Sequence, residues 1–267
     1  VNAVEETHKM GCNVLQIFAK SPQSTRYKCK FKDAEIEKAN KFMDEHTIDI
    51  VCHSSYMLNF AKPRCEIQWA IDSLVEDMHI MKKLDGIGCV IHMGKQCKMP
   101  SEEECFQNKV ESLKIAMDAS PPEVKLILET AAGQGSELCV EIDKLGKLYK
   151  MFPKRYQDQI IFCVDTCHIF AAGYDSRTEQ DVDAFLELWD REIGVEHIGL
   201  IHMNDSKDVC GAKKDRHESI SVGKIGDKDL SGFKRWINFA KENEIPVILE
   251  TPGTLNHSEE IAMIRSW

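Results

Sequence analysis

Short apolar runs rich in β-branched residues recur along the chain at 13–19 (NVLQIFA), 48–53 (IDIVCH), 88–93 (GCVIHM), 124–129 (VKLILE), 160–165 (IIFCVD), 197–203 (HIGLIHM) and 245–250 (IPVILE). Bounded runs of this length, apolar at nearly every position, predict strands buried on both faces. Between them, apolar positions three and four apart predict amphipathic helices over 33–46, 65–84, 102–118, 137–151, 179–192 and 228–243. Ser101, followed three residues later by Glu104, predicts a capping box opening one of these helices. Repeated strand–helix units imply a parallel sheet covered by helices. The chain opens directly on a helical pattern (VNAVEETHKM), so its seven strands fit a (β/α)8 TIM barrel lacking its first strand better than an open doubly wound sheet. That strand is expected upstream of Val1 in the native protein. No G-x-G-x-x-G follows an early strand, which removes the usual dinucleotide-binding reading. A length of 267 residues with no Pro/Ser/Gly-rich linker predicts one domain, 1–267.

The formal net charge of -10 is the wrong sign for a protein that grips nucleic acid through a simple basic surface. The objection weakens if several carboxylates are metal ligands, because each divalent cation adds positive charge where a phosphate must approach. Eleven cysteines, an odd number, without a secretory h-region predict reduced thiols in an intracellular compartment, cytoplasm or nucleus. No apolar run approaches the ~18 residues of a membrane span. Cys163 and Cys167 fall in a segment that reads as strand end and loop, without zinc-finger or redox spacing, and are expected as buried small hydrophobes. No large apolar stripe is left over once barrel and helices are built, which predicts a monomer.

The informative observation is positional. His53, His92, Glu129, Asp165, His202 and Glu250 each stand at or just past the C-terminal end of a predicted strand, and in a (β/α)8 barrel those ends converge on the catalytic face. His168 follows in the loop after Asp165, and Asp215 and His217 in the loop after His202. Any one of these alone reads more simply as a satisfied polar residue or a helix cap. Together they carry a severe desolvation cost that divalent cations resolve. Imidazole and carboxylate without thiolate suit zinc or manganese, and nine ligands exceed the coordination of one ion, so two or three are implied. With three, the site would stand about two charges positive. Clustered divalent ions serve in-line displacement at phosphorus, which makes a phosphodiester the natural substrate. Glu129 and Glu250, able to bridge ions, act catalytically through metal rather than as general bases.

His53 in CHSSYMLNFA, His92 in VIHMGK, Glu129 in LETAAGQGS, then VDTCHIFAAGYD, IHMNDSK, KDRHESISVGKIG and ILETPG resemble the endonuclease IV family in order and spacing over essentially the whole chain. The resemblance implies an apurinic/apyrimidinic endonuclease with three zinc ions. It would cleave double-stranded DNA on the 5' side of abasic residues and remove blocking groups from 3' ends. It assigns His53, His92 and Glu129 to one ion, Glu129 with Asp165, His202 and Glu250 to a second, and His168, Asp215 and His217 to the third. Tyr56 matches the family's aromatic wedge, which fills the stack beside a turned-out sugar. Where the family has an Arg that enters the duplex, this chain has Gln23, with Arg26 three residues on. Gln134 in AGQGS and Arg216, with Lys213 and Lys214, are expected to meet DNA. A sugar isomerase of the xylose isomerase-like barrels needs fewer ligands. A silent DNA-end binder would not need the full ligand set, and a general single-strand nuclease would differ in loop shape.

Overall fold

The computed structural model describes residues 1–23, 31–227 and 229–267. The chain runs α1 (Asn2–Lys9), β1 (Val14–Ile17), α2 (Asp33–His46), β2 (Asp49–His53), α3 (Arg64–Lys83), β3 (Gly88–Ile91), α4 (Glu102–Asp118) and β4 (Lys125–Glu129). It continues through α5 (Ile142–Lys150), α6 (Lys154–Gln157), β5 (Ile160–Asp165), α7 (Thr166–Ala172), α8 (Glu179–Glu192) and β6 (Ile198–His202). The remaining elements are β7 (Asp205–Ser206), β8 (His217–Glu218), α9 (Ser231–Glu242), β9 (Val247–Ile248) and α10 (His257–Arg265). Seven strands form one sheet in the order β1-β2-β3-β4-β5-β6-β9, and β7 pairs with β8 in a separate antiparallel ladder. The order follows the chain, as in a barrel built from successive strand–helix units.

Two compact units divide the chain, Val1–Leu128 with Pro153–Ile161 and Glu129–Phe152 with Phe162–Trp267, so the division cuts strands β4 and β5 rather than a linker. In the first unit the parallel ladders pair Ile17 with Cys52, His53 with Val90 and Ile91 with Leu128. Leu126 N–H donates to Gln159 O, joining β4 to the residue before β5. Val51, Cys52, Val90, Leu126 and Ile127 are wholly buried, as are Ala70, Leu74 and Met78 of α3 and Leu113 of α4. In the second unit Asp165 pairs with His202 and His202 with Ile248. Its core holds Phe162, Leu200, Phe185, Trp189 and Trp236, whose rings meet edge to face at 5.4 Å (Phe162–Trp189) and 5.8 Å (Phe185–Trp236).

Gly88 opens β3 at a point where a Cβ would lie 2.2 Å from the Lys125 carbonyl oxygen of β4. The obstacle is backbone, so relief requires moving the strand. Gly88→Ala is expected to destabilise the protein by about 2 kcal/mol, read as a lowered midpoint in chemical denaturation.

All the predicted strands and helices occur, with trimmed ends. The 137–151 helix begins at Ile142, the 228–243 helix at Ser231, and the 245–250 strand shrinks to Val247–Ile248. Ser101 caps α4 through its hydroxyl, which accepts from Glu104 N–H at 3.2 Å. A complete reciprocal box forms instead at Thr178 and Asp181 on α8. One expectation is corrected: the segment holding Cys167 and His168 is the helix α7, not a loop. Asp165 caps it by accepting from His168 N–H at 2.9 Å, and Gly173 ends it at φ +114. Seven residues are too few to display a helical period, so only the cap residues marked it. Cys52, Cys65, Cys89, Cys105, Cys163, Cys167 and Cys210 form no disulfide, and among the described residues no helix is long and apolar enough to cross a membrane.

Candidate metal centre

In the second unit, ligand-type residues come from four strand ends and the segments that follow them. Glu129 ends β4, Asp165 ends β5, His202 ends β6, and Glu250 lies two residues past β9. His202 Nδ1 is 2.9 Å from Glu129 Oε1 and 3.2 Å from Glu250 Oε2. One ligand atom from each of Glu129, Asp165, His202 and Glu250 falls within 4.8 Å of all the others. A second set, His168, Asp215 and His217, meets the same criterion. Here Asp215 Oδ1 lies 3.3 Å from His168 Nε2 and 3.2 Å from His217 Nε2. His217 Nε2 is also 3.5 Å from Asp165 Oδ2. His168 reaches this set from α7, and His217 from β8 rather than from an irregular loop.

These groups perturb one another strongly. Burial opposes charge on His217, but the Asp165 charge and the bond to Asp215 outweigh it and raise its pKa to about 9. His168 is likewise held well above the ordinary histidine value, burial being outweighed by Asp165, Asp215 and Glu129. For His202 burial is outweighed by its contact with Cys163 and by Glu250 and Glu129. Burial would raise the Asp215 carboxyl, yet its bonds to His168 and His217 hold it well below the carboxylate range. The carboxylates thus hold the three imidazoles in their charged form, a role that divalent cations would take over.

Three imidazoles and four carboxylates with converging donor atoms fit divalent ions of the zinc or manganese type in both chemistry and number. In the first unit, His53 ends β2 and His92 follows β3 by one residue. Their rings stand 5.1 Å apart, each about as far from Tyr56, at 5.1 and 5.2 Å, and Phe18 backs His53 at 5.2 Å.

The family model described as "Xylose isomerase-like TIM barrel", AP_endonuc_2, matches residues 4–267. A putative endonuclease 4 of Acanthamoeba polyphaga mimivirus is 35% identical, the alignment covering 100% of this chain and 89% of that protein. A probable endonuclease 4 of Thermosipho melanesiensis is 36% identical over 93% of this chain and 87% of its own. The chain belongs to the endonuclease IV family. The crystal structure of endonuclease IV from Thermus thermophilus superposes with a TM-score of 0.84 at 28% identity, covering 100% of this chain and 93% of that one. The fold is therefore a TIM barrel, with seven parallel strands among the described residues, and the enzyme class is a DNA-repair hydrolase of the endonuclease type. A D-tagatose 3-epimerase-like protein, 18% identical with a TM-score of 0.73, shares the fold alone.

The residues that an endonuclease IV would turn to DNA are placed as follows. Tyr56 is 47% exposed and its N–H donates to Pro22 O at 2.9 Å, which brings Gln23, also exposed, beside it in the chain turn. Arg26 lies outside the described residues. The AGQGS segment is closed on Glu137, whose carboxylate accepts from Gly133 and Gln134 N–H at 3.0 and 2.9 Å. Gln134 Oε1 accepts from Arg216 Nη1 at 3.3 Å, so these two act as a pair. Lys214 is tied to Asp208 at 3.1 Å.

Several residues behind the donor sets carry no warning in composition or spacing. Asn204, wholly buried, donates from Nδ2 to Asp165 Oδ2 at 2.7 Å and accepts at Oδ1 from Glu250 N–H at 2.8 Å. Thr130 accepts from Asp165 N–H through its hydroxyl at 3.0 Å, and its carbonyl oxygen lies 2.8 Å from His168 Nδ1. Asp205 accepts from the backbone N–H of Ser206, Ser221, Gly223, Ile225 and Gly226, organising the loop after β8. The only trace of Asn204 and Asp205 in the sequence is the IHMNDSK motif itself. Because such supporting bonds aim ligands, Asn204→Ala is expected to weaken metal retention about 10- to 100-fold, measured by competition with a chelator of known affinity.

Proposed function

We propose that this enzyme hydrolyses the phosphodiester on the 5' side of abasic sites in duplex DNA, leaving 3'-OH and 5'-deoxyribose phosphate ends, and that it also clears blocked 3' ends. The carrying observation is the convergence of the Glu129, Asp165, His202 and Glu250 ligand atoms beside the His168–Asp215–His217 set. Three Zn2+ ions, with Mn2+ an accepted substitute, would be held by His53, His92 and Glu129, by Glu129, Asp165, His202 and Glu250, and by His168, Asp215 and His217. When bound, such ions supply Lewis acidity at phosphorus and lower the pKa of water.

The chain's own residues do the rest. Asn204 and Thr130 hold Asp165 and Glu250 in aim. Tyr56, backed by His53 and Phe18, presents a flat ring able to fill a gap in stacked bases. Gln23, Gln134 and Arg216 meet the duplex around the lesion. The protein works as a single functional domain over 1–267 and as a monomer, in a reducing cytoplasm or nucleus where its eleven cysteines would remain thiols.

The test is a labelled duplex carrying one abasic-site analogue, with metal content measured on the same protein. A single 5' cut with about three zinc ions per chain is the expected result. Full metal loading without cleavage, and turnover of a ketose instead, would transfer the assignment to a sugar isomerase. Tyr56→Ala is expected to weaken binding to abasic DNA by about tenfold with little change for intact duplex. An unchanged preference between the two duplexes would remove Tyr56 from lesion recognition.

A further inference from the structure

Cys163 and Cys167 are not inert filler behind the donor sets. Side chains alternate along a strand, so Cys163 shares a face of β5 with Asp165, two residues on. Its sulfur lies within 4.8 Å of a ligand atom of Glu129 and one of His202. The Cys167 sulfur stands in the same relation to Asp165 and His217. Both thiols are 0% exposed. The centre itself is reachable, since the side chains of His217, Glu250 and Asp215 are 18%, 19% and 33% exposed.

We propose that Cys163 and Cys167 give this centre a second, softer donor set, Glu129–Cys163–His202 and Asp165–Cys167–His217, that takes a thiophilic divalent cation such as cadmium. The proposal rests on the reading of these residues as a metal centre. Each sulfur binds by exchange, the S–H bond breaking as the sulfur–metal bond forms, with the proton released to solvent and no change of oxidation state. Ions that prefer oxygen and imidazole bind through the carboxylates and histidines of the harder set, whereas a cation that prefers sulfur recruits the thiols that stand among them. Because the soft set shares Glu129, His202, Asp165 and His217 with the harder one, its occupant displaces the ions that the harder set holds.

The test uses the full chain with Cys12, Cys29, Cys65, Cys97 and Cys210 replaced by Ser, stripped of metal and titrated in parallel with Zn2+ and Cd2+. Cadmium is expected to produce thiolate-to-metal absorption in the ultraviolet and a cadmium NMR resonance shifted by sulfur ligation. Cys163→Ala and Cys167→Ala are each expected to remove about half of that absorption and together all of it, while zinc is still taken up. Zinc uptake with no sulfur signature from cadmium overturns the inference and leaves the metal centre standing. A sulfur signature that survives in the double variant overturns it also, by placing cadmium on other thiols. Uptake of neither ion overturns the metal centre itself.

Discussion

Glu129→Gln is expected to lower single-turnover cleavage of an abasic duplex on the order of 10^3-fold or more, while affinity for the same duplex changes less than about tenfold. Glu129 is only 1% exposed, and its Oε1 faces His202 Nδ1 at 2.9 Å and His168 Nδ1 at 3.6 Å. Glutamine keeps the volume but removes one negative charge, and its amide can present N–H groups where cations and imidazoles need an acceptor. Several kcal/mol of transition-state stabilisation depend on correctly held metal, whereas duplex binding draws mainly on phosphate contacts across a wider surface. Glu250→Gln should act in the same direction with a smaller loss, because its side chain is 19% exposed and water can replace part of what it provides. Metal content, measured on the same preparations, should fall for Glu129→Gln. Wild-type cleavage by a metal-depleted Glu129→Gln protein would move the chemistry away from these residues.

The candidate ligands are legible because strand ends are legible. In VKLILE, IIFCVD and HIGLIH, an apolar run stops abruptly on an ionisable residue, and β4, β5 and β6 end on those same residues, Glu129, Asp165 and His202. Glu250 carries the same signal, although its strand is only Val247–Ile248 and the residue sits beyond regular structure. His168 is a candidate from the sequence alone, but its local structure is helix rather than the expected loop. Its helix α7 is fixed by the Asp165 cap and the left-handed Gly173 rather than by periodicity. What pattern could not supply was the supporting layer. Asn204, Thr130 and Asp205 act through hydrogen bonds to groups 20 to 46 residues away in some cases, as with Asn204 to Glu250 and Asp205 to Ile225. Such partners follow from tertiary placement, which hydrophobic period does not encode. The same holds for Cys163 and Cys167: their burial was foreseen, but not that their sulfurs would stand among the ligand atoms.

Three histidines of the second unit, His168, His202 and His217, would tie metal uptake to protons. His217 titrates at about 9, and His168 and His202 stay protonated well above the ordinary histidine value of 6.5. In the metal-free protein these raised values stabilise the fold fully below pH 6.5, where unfolded histidines are protonated as well. As the pH climbs from there through about 9, that stabilisation is lost. His217 alone accounts for about 3 kcal/mol of it. The depressed Asp215 works at the other end: its contribution is present above its ordinary value of 3.8 and disappears as acid protonates it in the fold. Denaturant midpoints of the metal-free protein should therefore decline from pH 6.5 to 9, opposite to the usual effect of a salt-bridged carboxylate. Zinc coordinates neutral imidazole, so loading at about pH 7 must expel these protons, and affinity should rise with pH over the same interval. Calorimetric titration in buffers of different ionisation enthalpy would count the protons released, with a value above one per chain expected. Zinc uptake without proton release would exclude the three histidines as ligands, whatever the activity of the loaded enzyme.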